Sequence, residues 1–317
     1  MRKPLFLLVL FFSFSPLFAQ YTETINSDRP GESQGAFAVG TQVLQLEAGG
    51  KFGSDEHNLL NTETNQFGVD YALRYGIFLE QLEISIRGTY LNSEVSMPVG
   101  GLIEKNSYAN FESNTIGVKY LAFDPFKHLS DPKANLYSWK ANNTKFKWRD
   151  LIPAVAVYAG LNVLSDDNPY LPPGQDAMSP KFAAITQHNW GRWVFVTNLI
   201  ADMPTSDFPS YAGIFTLTHS INSRYSVFGE YQAIKSDFYA DNIARLGGAF
   251  LLTKNLQFDL SGLINFKDTP SRWKVAMGVS YRLDMHSEDE IIIKNRNDKK
   301  KEEEEKEKEI EIEAQPE

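Results

Sequence analysis

The stretch SRWKVAMGVSYRLD, Ser271 to Asp284, puts Trp273, Val275, Met277, Val279, Tyr281 and Leu283 at alternate positions. Lys274, Ala276, Gly278, Ser280 and Arg282 fall between them. A period of two is the period of a β-strand, whose successive side chains point to opposite faces. The pattern recurs. Leu82, Ile84, Ile86, Gly88 and Tyr90 alternate with Gln81, Glu83, Ser85, Arg87 and Thr89, and Leu256, Phe258, Leu260, Gly262 and Ile264 with Gln257, Asp259, Ser261 and Leu263. Similar, sometimes weaker strands are predicted near 41–50, 66–74, 113–121, 150–161, 181–189, 192–201, 212–220, 224–234 and 241–253. The total is about twelve, an even number as a closed bacterial barrel requires.

Two exclusions give the pattern its meaning. Arg2 and Lys3 precede the apolar run Pro4–Ala19, which is broken by Ser13, Ser15 and Pro16 and is short for a membrane span. It reads as a signal peptide over 1–19, cleaved after Ala19. Beyond it no run of about twenty apolar residues occurs, so a helical membrane protein is excluded. The chain has no cysteine, hence no disulfide, thiolate metal site or cysteine lipid anchor. An exported chain that is 13% aromatic, with mean hydropathy of -0.33, fits a barrel whose apolar residues face lipid at every second position only.

The fold expected is therefore all-β, a transmembrane antiparallel up-and-down β-barrel of about twelve strands over 41–286. Short links at 74–80, 188–192, 219–224 and 252–256 alternate with longer ones near 51–65, 91–112, 162–180, 202–211, 235–240 and 266–271. Short periplasmic turns and long outer loops place both termini in the periplasm, in the outer membrane of a Gram-negative-type bacterium. The link 123–149 is long where parity asks for a tight turn, and reads as a periplasmic insertion or a missed hairpin. The segment 20–40 precedes the barrel. Residues 287–317 hold thirteen acids and seven bases and read as a charged, disordered periplasmic tail carrying -6 of the formal -9.

In such a barrel the apolar face meets lipid and the polar face lines the lumen. Tyr71, Tyr90, Tyr120, Tyr158, Trp190, Trp193, Tyr225, Tyr231, Trp273 and Tyr281 lie mostly toward strand ends, where aromatic girdles form. The lumen candidates carry both signs: Asp70, Glu83, Glu230 and Asp259 against Arg74, Arg87, Lys119, Arg245, Lys274 and Arg282. No ring of one sign marks an ion-selective pore. The mixture fits equally a network of ion pairs bracing the interior and a polar path for a solute. Gly68, Gly117, Gly247 and Gly278 on the same face leave space inside, while Ile243 and Leu263 are its apolar members.

After the leader stands NSDRPGESQGAFAVGTQVLQLEAG, residues 26–49. Asp28, Arg29, Pro30 and Gly31, then Gly40, Leu44, Gln45, Leu46 and Glu47, resemble the start of the family called MetA-pathway of phenol degradation. The later NLQFDLSGLINF and GVSYRL resemble its final hairpin. The resemblance implies an outer-membrane barrel passing small, aromatic or hydrophobic compounds, without implying phenol itself. Taken from the residues alone, Asp28–Gly31 is a turn-forming element. A plain N-terminal turn is expected ahead of Arg29 meeting carbonyls at the periplasmic mouth or a lumen acid. The closing GVSYRL also resembles the strand signal read by barrel assembly machinery.

No catalytic, cofactor or metal site is expected. His57, His128, His188, His219 and His286 form no H-E-x-x-H pattern, and G-x-S-x-G and phosphate loops are absent. Asp166, Asp167 and Asp176 lack calcium-loop spacing. No nucleic-acid patch appears. The expected partners are the lipid bilayer, a small-molecule solute and the assembly machinery. The function expected is passive passage of that solute, with a non-conducting barrel acting through loops or tail as the alternative, and an outer-membrane hydrolase behind both. A purely periplasmic protein on cell fractionation would overturn every membrane reading.

Overall fold

The computed structural model describes residues 24–128, 151–171, 175–237 and 239–285. The segment expected to be a signal peptide, most of the 123–149 link, His286 and the expected tail 287–317 lie outside these residues. Among them twelve strands form one closed antiparallel barrel in which each strand pairs with its sequence neighbours. They are β1 (Val43–His57), β2 (Thr62–Gly76), β3 (Leu82–Val99), β4 (Leu102–Phe123), β5 (Ala154–Val163), β6 (Met178–Trp190), β7 (Trp193–Asp202), β8 (Ser210–Ser220), β9 (Tyr225–Lys235), β10 (Ala240–Thr253), β11 (Leu256–Asn265) and β12 (Ser271–Asp284). A single helical turn, α1 (Pro125–His128), follows β4. The barrel unit ends at Asp284, and a second unit begins at Met285.

Closure is made by β1 on β12, in register from Val43 opposite Asp284 to Glu56 opposite Ser271. In β12 the outward set is Trp273, Val275, Met277, Tyr281 and Leu283, all exposed, whereas Ser280 and Arg282 are buried. The exposed apolar residues are the lipid face, and the buried polar ones line the interior. The arrangement is the reverse of a soluble sandwich, whose inward faces are apolar. Outward aromatics gather toward the two ends: Tyr90, Tyr211, Tyr231 and Trp273 at one, Tyr120, Trp190, Trp193, Tyr225 and Tyr281 at the other. Tyr158 is the exception. It points inward at 2% exposure and covers Gly117 and Gly160, where an added Cβ would strike its ring.

Two of the expected long links are strand instead. β1 and β2 continue to a turn at residues 58–61, and β3 and β4 to a turn at Gly100–Gly101. Both glycines have positive φ, 57° and 86°, as a tight two-residue hairpin needs. β4 spans 22 residues, although about 9–11 cross a bilayer. The remainder extends past the lipid, where nothing demands an apolar outer face. Alternation fades there, so 51–65 and 91–112 resemble loops in the sequence.

Because the Tyr158 ring occupies the space over Gly117, Gly117→Val should overpack the wall and cost about 1–3 kcal/mol. Urea unfolding in lipid vesicles measures it; an unchanged midpoint would show that the ring has another place to go.

Candidate functional site

The interior of the barrel is crossed by the chain's own N-terminal segment. Residues 24–40 have no regular secondary structure. They enter beside the β10–β11 turn, where the Ile25 amide donates to the Lys254 carbonyl at 2.8 Å, and leave beside β2, where Gln42 N–H donates to the Gly76 carbonyl at 3.1 Å. Between those points the strap is held by lumen side chains.

The Asp28–Gly31 motif sits in the middle of this crossing. On the wall beneath it, Asp70 pairs with Gly49, Gly49 with Gly278 and Gly278 with Asp259, a row spanning β2, β1, β12 and β11. Two glycines between two acids form a slot for a guanidinium. Arg29 fills it, donating from Nε and Nη2 to Asp259 at 3.1 and 3.0 Å, with Asp70 4.0 Å from Nη1. A Cβ on Gly49 or Gly278 would overlap the Arg29 guanidinium. Arg29 thus meets a lumen acid, where the sequence favoured a plain turn; the partners lie 230 residues apart in the chain, beyond the reach of local pattern. The space expected at Gly278 exists and is occupied by the strap.

A second cluster surrounds Arg74, which is fully buried. It donates to both oxygens of Glu83 at 2.8 and 2.9 Å, to the Asn26 carbonyl at 2.9 Å and to Glu47 at 3.3 Å. Lys119, also fully buried, donates to the carbonyls of Gly35 and Phe37 at 3.0 and 3.1 Å and lies 3.3 Å from Glu83. Arg87 donates to Asp28 at 2.9 Å, and Asp28 also accepts from the Gly35 amide. Burial opposes the Asp28 charge, yet Arg74, Lys119 and Arg87 together hold its carboxyl well below the usual aspartate range. The depressed pKa makes this anchorage fully present above the ordinary aspartate pKa, to be lost only as pH falls through the lowered one.

The third anchor is Glu230, which accepts from the amides of Glu32 and Ser33 and from Arg245 Nη1 at 2.8 Å. Asn198 and Gln187 complete the fastening, accepting from the Gln34 and Ala36 amides at 2.7 and 2.9 Å. The opposite wall is apolar. Ala36 and Phe37 pack on Ala154, Ala156, Tyr158, Ile185 and Val196 of β5, β6 and β7. Sequence reading missed this patch because its inward residues are small or aliphatic and blur the alternation.

Of the ten lumen candidates, Asp70, Arg74, Glu83, Arg87, Lys119, Glu230, Arg245 and Asp259 belong to these anchors. Lys274 is folded over Gly53 and lines an outer cavity of about 240 Å³ with Ile243 and Leu263. Arg282 donates to Asn255 at 3.0 Å near the short-turn end. Two further cavities, each of about 270 Å³, flank the strap. One reaches toward the long hairpins past Arg87, Lys181 and Asp202; the other reaches toward the short turns past Gln187, Thr218 and Ser226. Asp28, Arg29 and Gly31 line both.

Among the described residues, His57, His188 and His219 lie apart from any such cluster. His57 Nδ1 accepts from the Leu60 amide, His188 bonds the Leu151 carbonyl, and the His219 ring lies against Trp193 with centroids 4.1 Å apart. No group of three or more His, Cys, Asp or Glu side chains suited to a metal occurs among the described residues.

Exposed apolar outer face, paired strands throughout and a polar interior define an outer-membrane β-barrel. The chain belongs to the family described as "Putative MetA-pathway of phenol degradation", which matches residues 27–283, from the strap motif to the last strand. Among solved structures it is similar to an outer membrane channel from Pseudomonas putida F1, with 10% identity and a TM-score of 0.50 over 80% of this chain and 99% of that one. It is also similar to the translocator domain of autotransporter NalP from Neisseria meningitidis, with 9% identity and a TM-score of 0.45 over 77% and 89%. A comparison with curated protein sequences finds no match.

Arg74 neutralises Glu83 and Glu47 where water does not reach. Arg74→Ala should therefore destabilise the barrel by about 3–5 kcal/mol, the usual cost of stranding a buried charge. Urea midpoints in vesicles read this loss; a change below about 1 kcal/mol would mean that the cluster relaxes around the gap.

Proposed function

We propose that the protein is a passive channel of the outer membrane for a small molecule, with its short turns and both chain ends on the periplasmic side. The observation that carries this reading is the pair of cavities that approach residues 28–31 from opposite ends of the barrel. Each is slightly smaller than the roughly 300–1,000 Å³ that encloses a drug-sized ligand, so the cargo is a compact molecule rather than an oligomer. The lining joins polar groups to Ile200, Ile214 and Ile234. Together with the family and with the neighbour from Pseudomonas putida F1 described as a channel, it favours a small compound with an aromatic or hydrophobic body. Of the ten lumen candidates, Asp70 and Arg87 line the first of these cavities, and Asp70, Arg245 and Lys274 line the outer one. On this reading β12, with GVSYRL at its end, is presented to the assembly machinery during biogenesis.

A second reading is a barrel held shut and acting through its hairpins or its charged tail. One observation favours it: the strap's amides at Glu32, Gln34, Ala36 and Val39 are all taken up by wall side chains.

Vesicle swelling and planar-bilayer conductance decide between the two. Wild type should admit glycerol-sized solutes and exclude trisaccharides. Glu83→Ala and Arg87→Ala, which remove the acceptor of the Val39 amide and one of the partners of Asp28, should raise the conductance several-fold. Vesicles that stay impermeable to every small solute, with both variants equally silent, would leave only the closed barrel.

A further inference from the structure

The two halves of the strap are fastened differently. Among the described residues no backbone–backbone hydrogen bond ties 26–40 to the wall, so the strap can move without opening the sheet. Its second half, Ser33–Val39, lies on the apolar patch, with Ala36 at 0% exposure and Phe37 packed beside it. Its first half, Ser27–Glu32, is held chiefly by polar contacts: Ser27 on Ser280, Asp28 on Arg87 and Arg74, Arg29 on Asp259 and Glu32 on Glu230. This half has a cavity on either side.

That difference sets what each half loses on release. A charge pair broken in a dry interior leaves both charges uncompensated, whereas beside a polar cavity each partner exchanges the other for water. The second half, packed on the apolar patch and with its amides and carbonyls bonded to the buried side chains of Asn198, Gln187, Glu83 and Lys119, has no such exchange and stays. Since Asp28, Arg29 and Gly31 line both cavities, moving them joins the two into one passage. Ser33 and Gly35, at the junction of the halves, are where the chain would turn.

We propose that residues 27–32 are the gate of the barrel, a flap hinged at Ser33–Gly35 whose latch is Arg29 in the Gly49–Gly278 slot. The physiological meaning of the flap rests on the channel reading; its motion does not.

The chain contains no cysteine, so one engineered pair is uniquely addressable. Ser27 Oγ and Ser280 Oγ stand 2.7 Å apart, close to the roughly 2.05 Å of a disulfide. In the full mature protein in vesicles, Ser27→Cys/Ser280→Cys when oxidised should pass glycerol at least tenfold more slowly than when reduced. Asp259→Asn, which weakens the latch, should pass it several-fold faster than wild type. Equal flux in the two redox forms, with cross-linking complete by mass, would overturn the gate.

Hydrogen exchange supplies a readout that needs no solute. The Glu32 amide, which donates to Glu230, should exchange at least tenfold more slowly once the pair is oxidised, and equal exchange would overturn the flap. Exchange that responds to the cross-link in a barrel that passes nothing would instead sink the channel reading and keep the flap. Should the double-cysteine variant not fold, Asp259→Asn against wild type carries the test, and no rise in either flux or exchange overturns the proposal.

Discussion

Hydrocarbon offers no partner to an unpaired backbone group, so a sheet that spans it must have no edge. In this protein the ladder between β1 and β12 meets that demand, and closure with twelve strands has a consequence inside. A barrel of about eight strands is filled by the side chains of its own wall, and the bore grows roughly in proportion to strand number. Twelve strands leave a space that wall side chains alone do not fill, and residues 24–40 enter it. Unlike a strand, this strap brings backbone donors and acceptors that no ladder satisfies. Buried polar groups need partners, and Glu83, Lys119, Gln187, Asn198 and Glu230 are those partners. The charges of the Arg74 cluster, Asp259 and Glu230 follow from the strap, and the strap from the bore.

The wall is shaped to the strap in the same way. Gly49 and Gly278 face each other across the closing ladder, and the Arg29 guanidinium lies where two side chains would be. Around Arg74 the charges balance, with Arg87 and Lys119 as further cations and Asp28, Glu47 and Glu83 as carboxylates. Such clusters contribute little net stability, because desolvation offsets their attraction. Their effect is on register. Ala36 and Phe37 could slide along an apolar patch at little cost, whereas the Arg29 slot and the Glu230 anchor accept one alignment of the chain.

The wall was legible in the sequence because its rule is local: lipid outside and polar groups inside force a period of two, visible in Trp273–Leu283 without knowledge of any partner. The rule lapses where its cause lapses. Residues 51–57 and 91–112 are largely strand yet project past the bilayer, so polar residues occupy both faces and the eye sees a loop. Tyr158 went astray for another reason. Tyrosine at a strand suits a girdle or a packed interior, and only Gly117 and Gly160 beneath the ring decide for the interior. The strap was the least legible element. Its residues have no period, and its contacts are with Glu83, Asn198, Glu230, Asp259 and Ser280, far along the chain. The motif was visible as a turn, but the row of Asp70, Gly49, Gly278 and Asp259 that receives it exists only after four strands are in register.

One consequence concerns what a solute would meet on the proposed path. Charges arranged in rings of one sign create an axial field that selects ions. Here Arg29 is spent on Asp259, Arg245 on Glu230, Lys51 on Asp70 and Glu112, and Arg272 on Asp55. Paired charges of opposite sign a few ångströms apart act as dipoles, whose fields fall off faster than those of single charges. A molecule in either cavity therefore meets short-range polar contacts and a few apolar side chains, Ile200, Ile214 and Ile234 in one and Val194, Val196 and Phe228 in the other, with little long-range steering by sign. On the proposed path, the bore left by residues 27–32 would discriminate by size and shape. A single segment that supplies both the filling of the barrel and the constriction of its lumen explains why so much of the wall's polar chemistry is directed at it.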